Sequence, residues 1–302
     1  MRHRNGCRGL SLSQPDLSPD LSYVLTRPDA WLSGVIFASP HSGRDYPDWF
    51  LRETRLPVAA LRSSEDAFID RLIAPAIRHG AVTLAARIPR CIVDLNRGAD
   101  EIDPLVVRGV PRHPLNQRTL AGLGVIPRVV SQGRAIHDRQ IDRAEADRRI
   151  DSCWRPYHAA LSGLISQARA RFGQAILIDM HSMPHDALGH LQGTRPDMVL
   201  GNRHGLSAAA RVSDAVCGAI EAEGWTVRRN SPFSGAYICS AYGRPAQHVH
   251  VVQLEIDRSL YMHEATLTPR ADFDDFAARI DRMMGRLTSL LADPAGGRIA
   301  AE

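Results

Sequence analysis

Short apolar runs, each stopped by turn residues or by a helical pattern, constrain this chain most. Gly34-Val35-Ile36-Phe37-Ala38-Ser39 ends at Pro40-His41-Ser42-Gly43. Ala81-Val82-Thr83-Leu84-Ala85-Ala86 and then Cys91-Ile92-Val93-Asp94-Leu95 form another extended stretch. Ala175-Ile176-Leu177-Ile178-Asp179-Met180 runs into His181, and the last run covers residues 248–256. Runs of this length suit strands covered on both faces. Between them lie helical patterns. Residues 65–79 read as one helix, with Phe68, Ile69, Leu72, Ile73, Ala76 and Ile77 on one side and Gly80 closing it. Residues 134–172 form a longer helical region that Pro156 kinks or splits and Gly173 ends. Residues 206–223 and 272–291 complete the set. Strands alternating with helices predict an α/β fold with a largely parallel or mixed sheet. No internal repeat or linker-like break divides the chain, so residues 23–302 are expected to form a single domain behind a tail at 1–22.

Composition narrows the class of partner. The chain has 302 residues, 44% hydrophobic and 23% charged, enough to bury a sizeable core. No apolar run approaches the roughly 20 residues of a membrane helix, so a soluble protein without a membrane partner is expected. The 37 basic residues are all arginine, and they are interleaved with acids, as in residues 137–143. Biased codon usage in a GC-rich genome explains that; a nucleic-acid binder would gather its cations on one face. The 5 cysteines stand far apart with no CxxC pair, which excludes a cysteine-rich zinc site and argues against a disulfide framework. The first 20 residues are polar and lack the apolar centre of a secretory signal, so the expected location is cytoplasmic.

In open α/β sheets ligands bind beyond the carboxyl ends of strands. His41, His181 and the string Asp94-Leu95-Asn96-Arg97 fall at such places, and Glu255 lies inside the last apolar run, where an unpaired carboxylate is costly. Two histidines and a carboxylate around an open position describe a catalytic zinc site, and a buried Glu nearby is the usual general base. Taken singly, each His is equally explained as a hydrogen-bonded structural residue, residues 94–97 as a turn with an ion pair, and Glu255 as a partner for one of the many arginines. Only their joint placement after strands favours a metal hydrolase.

The sequence resembles the N-formylglutamate amidohydrolases. The strings that carry the resemblance are Ser39-Pro40-His41-Ser42-Gly43, Asp66 followed by Arg71-Leu72, residues 90–97 (RCIVDLNR), residues 154–158 (WRPYH) and Ile178-Asp179-Met180-His181-Ser182. Residues 197–201, 242–245, 252–255 and 260–262 continue them in the family's order. That family is in turn similar to the zinc carboxypeptidases and to the aspartoacylase and succinylglutamate desuccinylase group. The resemblance implies a mixed, twisted sheet of about eight strands with helices on both faces. It also implies zinc, or another divalent metal, and hydrolysis of N-formyl-L-glutamate to formate and L-glutamate in histidine breakdown.

By the same resemblance His41 and His181 are metal ligands. The wider carboxypeptidase pattern has a ligand Glu three residues after the first His, but Arg44 stands there, and arginine cannot ligate. Asp66 is then the first choice for third ligand, with Glu65 and Asp45 in reserve. Arg90 would polarise the scissile carbonyl, Asn96 and Arg97 would hold the substrate α-carboxylate, and Asp94 would orient a neighbour. Glu255, two residues from Gln253 and therefore on the same strand face, would be the general base. His158 is a further family-like position; His185 and His190 are candidate substrate contacts, and His248 and His250 read as structural. Other N-acyl amino acids or peptides are alternative substrates, since Gly235-Ala236 stands where members often have two glycines. A silent relative that binds an acidic metabolite or a protein is the alternative from another class.

Overall fold

The computed structural model describes residues 22–111, 116–189, 191 and 193–290. Seven strands form the main sheet: β1 (Tyr23–Thr26), β2 (Val35–Ser39), β3 (Val82–Ala86), β4 (Ala175–Met183), β5 (Met198–Gly201), β6 (Val227–Arg229) and β7 (Val249–Asp257). Their spatial order is β1-β3-β2-β4-β7-β5-β6. The centre of the sheet, from β3 through β7, is parallel; β1 joins β3 antiparallel and β5 joins β7 antiparallel. β2, β4 and β7 are buried along their whole length, as continuous apolar runs require. β1, β5 and β6 have no counterpart in the sequence reading. β1 and β6 are short edge strands, and no long apolar run marks any of the three.

Alternate residues of the central strands feed two separate cores. Ile36, Ala38, Leu177 and Val251 face one layer, where Leu161 and Leu164 of the helix Arg155–Phe172 pack. Val35, Phe37, Ile176, Ile178, Val252 and Leu254 face the other, against the helices Ala210–Glu221 and Phe273–Leu290. On Phe273–Leu290 the buried stripe Phe276, Ile280, Met283, Met284 and Leu287 follows helical spacing. No helix among the described residues is long and apolar enough to cross a membrane. Cys91, Cys153, Cys217 and Cys239 are buried free thiols.

Three expectations need correction. Cys91–Leu95 is a buried turn, not a strand. Its backbone finds partners singly: Ile92 N–H donates to Pro89 O and Asp94 N–H to Val125 O. The helix expected over 65–79 starts only at Ile69, after Phe68 in a left-handed conformation (φ 68°), and turns into a tighter 3₁₀ segment at Ala74–His79. Asp66 therefore precedes the helix, its backbone N–H donating to His41 O. The region 134–172 becomes helical only at Arg143, and a wide π turn at Ile150–Trp154 joins Arg143–Arg149 to Arg155–Phe172. Pro156 sits in the first turn of the last piece; its ring cannot tolerate a regular carbonyl four residues back, and the wide turn absorbs that conflict. Ser22, the last residue of the expected tail, is already buried.

Candidate active site

On the sheet face toward Arg155–Phe172, β4 presents Ala175, Leu177, Asp179 and His181, and β7 presents Val249, Val251, Gln253 and Glu255. Leu177 pairs with Val251, Asp179 with Gln253, and His181 with Glu255. The same face thus changes from apolar to polar halfway up, at the carboxyl ends of two neighbouring parallel strands. His41 enters from the turn after β2, and Gly43 lets that turn lie against the chain after β3. A Cβ at Gly43 would stand 2.1 Å from Ile88 O.

Three atoms converge here. His41 Nδ1 and His181 Nδ1 are 3.1 Å apart, and Asp66 Oδ2 lies 2.9 Å from His181 Nδ1 and 3.4 Å from His41 Nδ1. All three residues are buried. The far nitrogen of each imidazole meets a carboxylate: His41 Nε2 lies 2.7 Å from Asp94 Oδ1, and His181 Nε2 lies 3.0 Å from Asp179 Oδ2. A carboxylate only accepts, so it draws the ring proton to Nε2 and leaves Nδ1 as a lone pair facing inward. With both Nδ1 atoms in that state, three lone-pair donors point at one another in a buried place, an arrangement that a cation between them would satisfy. The donor set of two imidazoles and one carboxylate, each imidazole backed by an acid, suits a divalent metal such as zinc.

Charge neighbours tune the group. Burial disfavours ionised Asp66, but its hydrogen bonds to His181 and His41 hold the carboxyl well below the usual range. Burial likewise opposes ionisation of Asp94, and Arg90 beside it wins, again keeping it well below. Glu255 behaves oppositely: burial raises its pKa, with His181 the strongest opposing charge.

Around this centre every side chain is held by a partner. Arg258 Nη2 donates to Asp66 Oδ1 (3.2 Å) and to the Glu65 carbonyl (2.6 Å), so the other Asp66 oxygen faces the histidines. Glu65 turns away, accepting from Tyr46 Oη (2.6 Å) and Arg62 Nε (3.1 Å), and Asp45 pairs with Arg87. Neither reserve carboxylate joins the cluster. Arg90 Nη2 donates to Asp94 Oδ2 at 2.7 Å. Gln253 Nε2 donates to Glu255 Oε1 at 2.8 Å while its own oxygen accepts from Ala236 N–H, which fixes the amide's orientation. Asn96 stands beside His181: Nδ2 donates to Asp179 Oδ2 at 3.3 Å and lies 3.1 Å from His181 Nε2, and Oδ1 accepts from Ile238 N–H. Its amide thus ties Asp179 to the Ile238 backbone.

His41, Asp66, Arg90, Asn96, Arg97, His181 and Glu255 all line one cavity of about 540 Å³. His158 lies beneath it, Nε2 at 2.9 Å from Leu95 O and Nδ1 at 2.8 Å from Tyr242 Oη; burial lowers its pKa to about 4. His185 pairs with Asp257 and Arg195 instead of lining the cavity. His190 lies outside the described residues. His250 packs inside, its Nδ1 accepting from Ala209 N–H. Sequence reasoning missed Arg258 and the part played by Asp179. Asp179 had a signal, since it stands two residues before His181 on the same strand face; Arg258 had none.

The family model for N-formylglutamate amidohydrolase matches residues 33–262. The chain belongs to that family. It is 36% identical to the N-formylglutamate deformylase of Pseudomonas aeruginosa over 234 residues, 75% of this chain and 81% of the relative. It is 30% identical to the Pseudomonas putida protein of the same name, over 76% of this chain and 82% of that one. A crystal structure of N-formylglutamate amidohydrolase from Ralstonia eutropha JMP134 superposes with a TM-score of 0.85 at 33% identity, covering 90% of this chain and 98% of that one. The amidohydrolase match runs from before His41 to beyond Arg258, so it contains the whole cluster; the helix Phe273–Leu290 lies outside it.

Proposed function

We propose that the protein hydrolyses N-formyl-L-glutamate to formate and L-glutamate as a metal-dependent amidase, a cytoplasmic step of histidine breakdown. The convergence of His41, Asp66 and His181 carries this reading, because three buried donors backed by Asp94 and Asp179 fit a divalent cation and little else. The names of the relatives supply the substrate. When bound there, zinc or a similar metal supplies Lewis acidity toward the formyl oxygen and lowers the pKa of a water.

The chain's own residues do the rest. Glu255 lies across the strand pair from His181 with one oxygen held by Gln253, leaving the other to take a proton from the attacking water. Its raised pKa suits a group that then hands the proton to the departing amine. Arg90 donates to the oxygen on which charge develops, and its tie to Asp94 keeps the guanidinium aimed. Arg97 donates to the substrate α-carboxylate.

Formate release from N-formyl-L-glutamate, with chelator and zinc add-back, tests the reading against N-acetyl-L-glutamate as control. Chelator-sensitive, formyl-selective release is expected. A folded, zinc-loaded protein that releases no formate removes this substrate.

A further inference from the structure

The cavity contains four arginines, and their partners divide them into two pairs. Arg90 and Arg258 are neutralised by Asp94 and Asp66. Among the described residues Arg97 donates only to backbone carbonyls, Nε to Leu123 O at 2.9 Å and Nη1 to Asn96 O at 2.7 Å. Arg118 is exposed on the cavity lining, and its guanidinium has no hydrogen bond or ion pair among the described residues. Neither guanidinium is ion-paired with a carboxylate among the described residues, although Asp94 is the strongest charge opposing burial at Arg97; one lies deep and one at the mouth. They feel each other: burial depresses the Arg97 pKa, and Arg118 is among the positive neighbours that push it the same way.

Hydrogen bonds link the two segments that carry these side chains. The Leu123 carbonyl that accepts from Arg97 belongs to a turn whose Leu123 N–H donates to Arg118 O at 2.8 Å. Glu101 ties the same two segments a second time. Its Oε1 accepts from Gly98 N–H at 2.8 Å, and its Oε2 accepts from Asn116 Nδ2 at 2.7 Å. Asn116 in turn caps the short helix carrying Arg118, its Oδ1 accepting from Thr119 N–H. A like-charge pair costs free energy to hold near one another, and here hydrogen bonds through Leu123 and Glu101 keep the two segments together.

We propose that Arg97 and Arg118 form a two-armed clamp for a dicarboxylate, with Arg118 reading the side-chain carboxylate of an acidic amino acid and Glu101 setting the spacing. This rests on the substrate reading above and names the residue that selects glutamate. Arg97, next to the metal centre, takes the α-carboxylate; Arg118, at the mouth, takes the carboxylate farther from the scissile bond. Glu101 is a positioning residue.

Calorimetric titration of the zinc-loaded protein with L-glutamate and L-glutamine tests this without needing turnover. The unaltered protein is expected to prefer L-glutamate by roughly 10- to 100-fold, the range of one charge-assisted contact. Arg118→Gln should erase the preference by weakening L-glutamate alone, and Arg118→Lys should restore part of it. Absence of L-glutamate binding, equal affinities in the unaltered protein, or a preference that survives Arg118→Gln overturns the assignment. If the preference behaves as expected while no formate is released, the clamp stands and the reaction assigned above falls.

Discussion

At the scale of single residues, the roles separate by what each replacement leaves intact. Glu255→Gln keeps the volume and still lets Gln253 donate to the side-chain oxygen, but removes the proton acceptor. It should retain full metal content and lose about 10²- to 10⁴-fold in turnover; metal analysis beside formate assays checks this, and unchanged turnover excludes Glu255 from the mechanism. Asp94→Asn leaves the three inner donors in place and removes the charge behind His41. Metal affinity should fall by about 10- to 100-fold, read by competition against a chelator of known strength. Much of this centre was legible beforehand, because a His or Glu inside an apolar strand run has few inexpensive explanations. Asp66 became legible only through the family resemblance. Arg258 stayed hidden because its contact with Asp66 spans 192 positions, and nothing local marks a distant guanidinium as the partner of a particular carboxylate.

Elements succeed or fail in the sequence according to how their backbone bonds are met. β2, β4 and β7 satisfy theirs through neighbours on both sides and read as apolar runs. Cys91–Leu95 has the same composition, yet its N–H groups go one by one to Pro89 and Val125, and composition cannot tell a buried turn from a buried strand. The π turn at Ile150–Trp154 shows why the 154–158 string matters. It delivers Trp154 so that Nε1 donates to Arg97 O at 2.8 Å, while His158 meets Leu95 O one residue the other side of Asn96. Trp154→Phe keeps the stacking surface and loses that one bond. Its effect should be a KM about 3- to 10-fold higher with kcat little changed, since a bond worth about 1 kcal/mol steadies the peptide of Arg97, the residue proposed to hold the substrate, and not the reacting groups. Steady-state kinetics decide it; a loss confined to kcat would place Trp154 elsewhere in the mechanism.

For the molecule as a whole, the cluster makes stability depend on pH and on metal. In chelator-treated protein Asp66 and Asp94 are ionised more readily than in the unfolded chain, where the ordinary value is about 3.8. Their contribution is present above that value and is lost as pH falls through the depressed folded values. His181 acts in the opposite sense. Burial opposes its protonation, but Asp179 raises its pKa, so its contribution is present below the ordinary 6.5 and fades as pH rises through the raised value. The melting temperature of chelated protein should therefore fall at both acid and alkaline ends, and Asp94→Asn should flatten the acid side. Zinc add-back should lift the curve near neutral pH by binding only the folded state.

The short helix carrying Arg118 and the turn that ends at Leu123 belong to neither of the strands that carry His181 and Glu255. Arg97 links that turn to the chain beside the metal ligands, donating to Leu123 O and to Asn96 O. A lineage could thus trade one acidic metabolite for another by redrawing that turn, leaving β4 and β7 untouched. In a protein of this build, appetite and chemistry are free to evolve at different speeds.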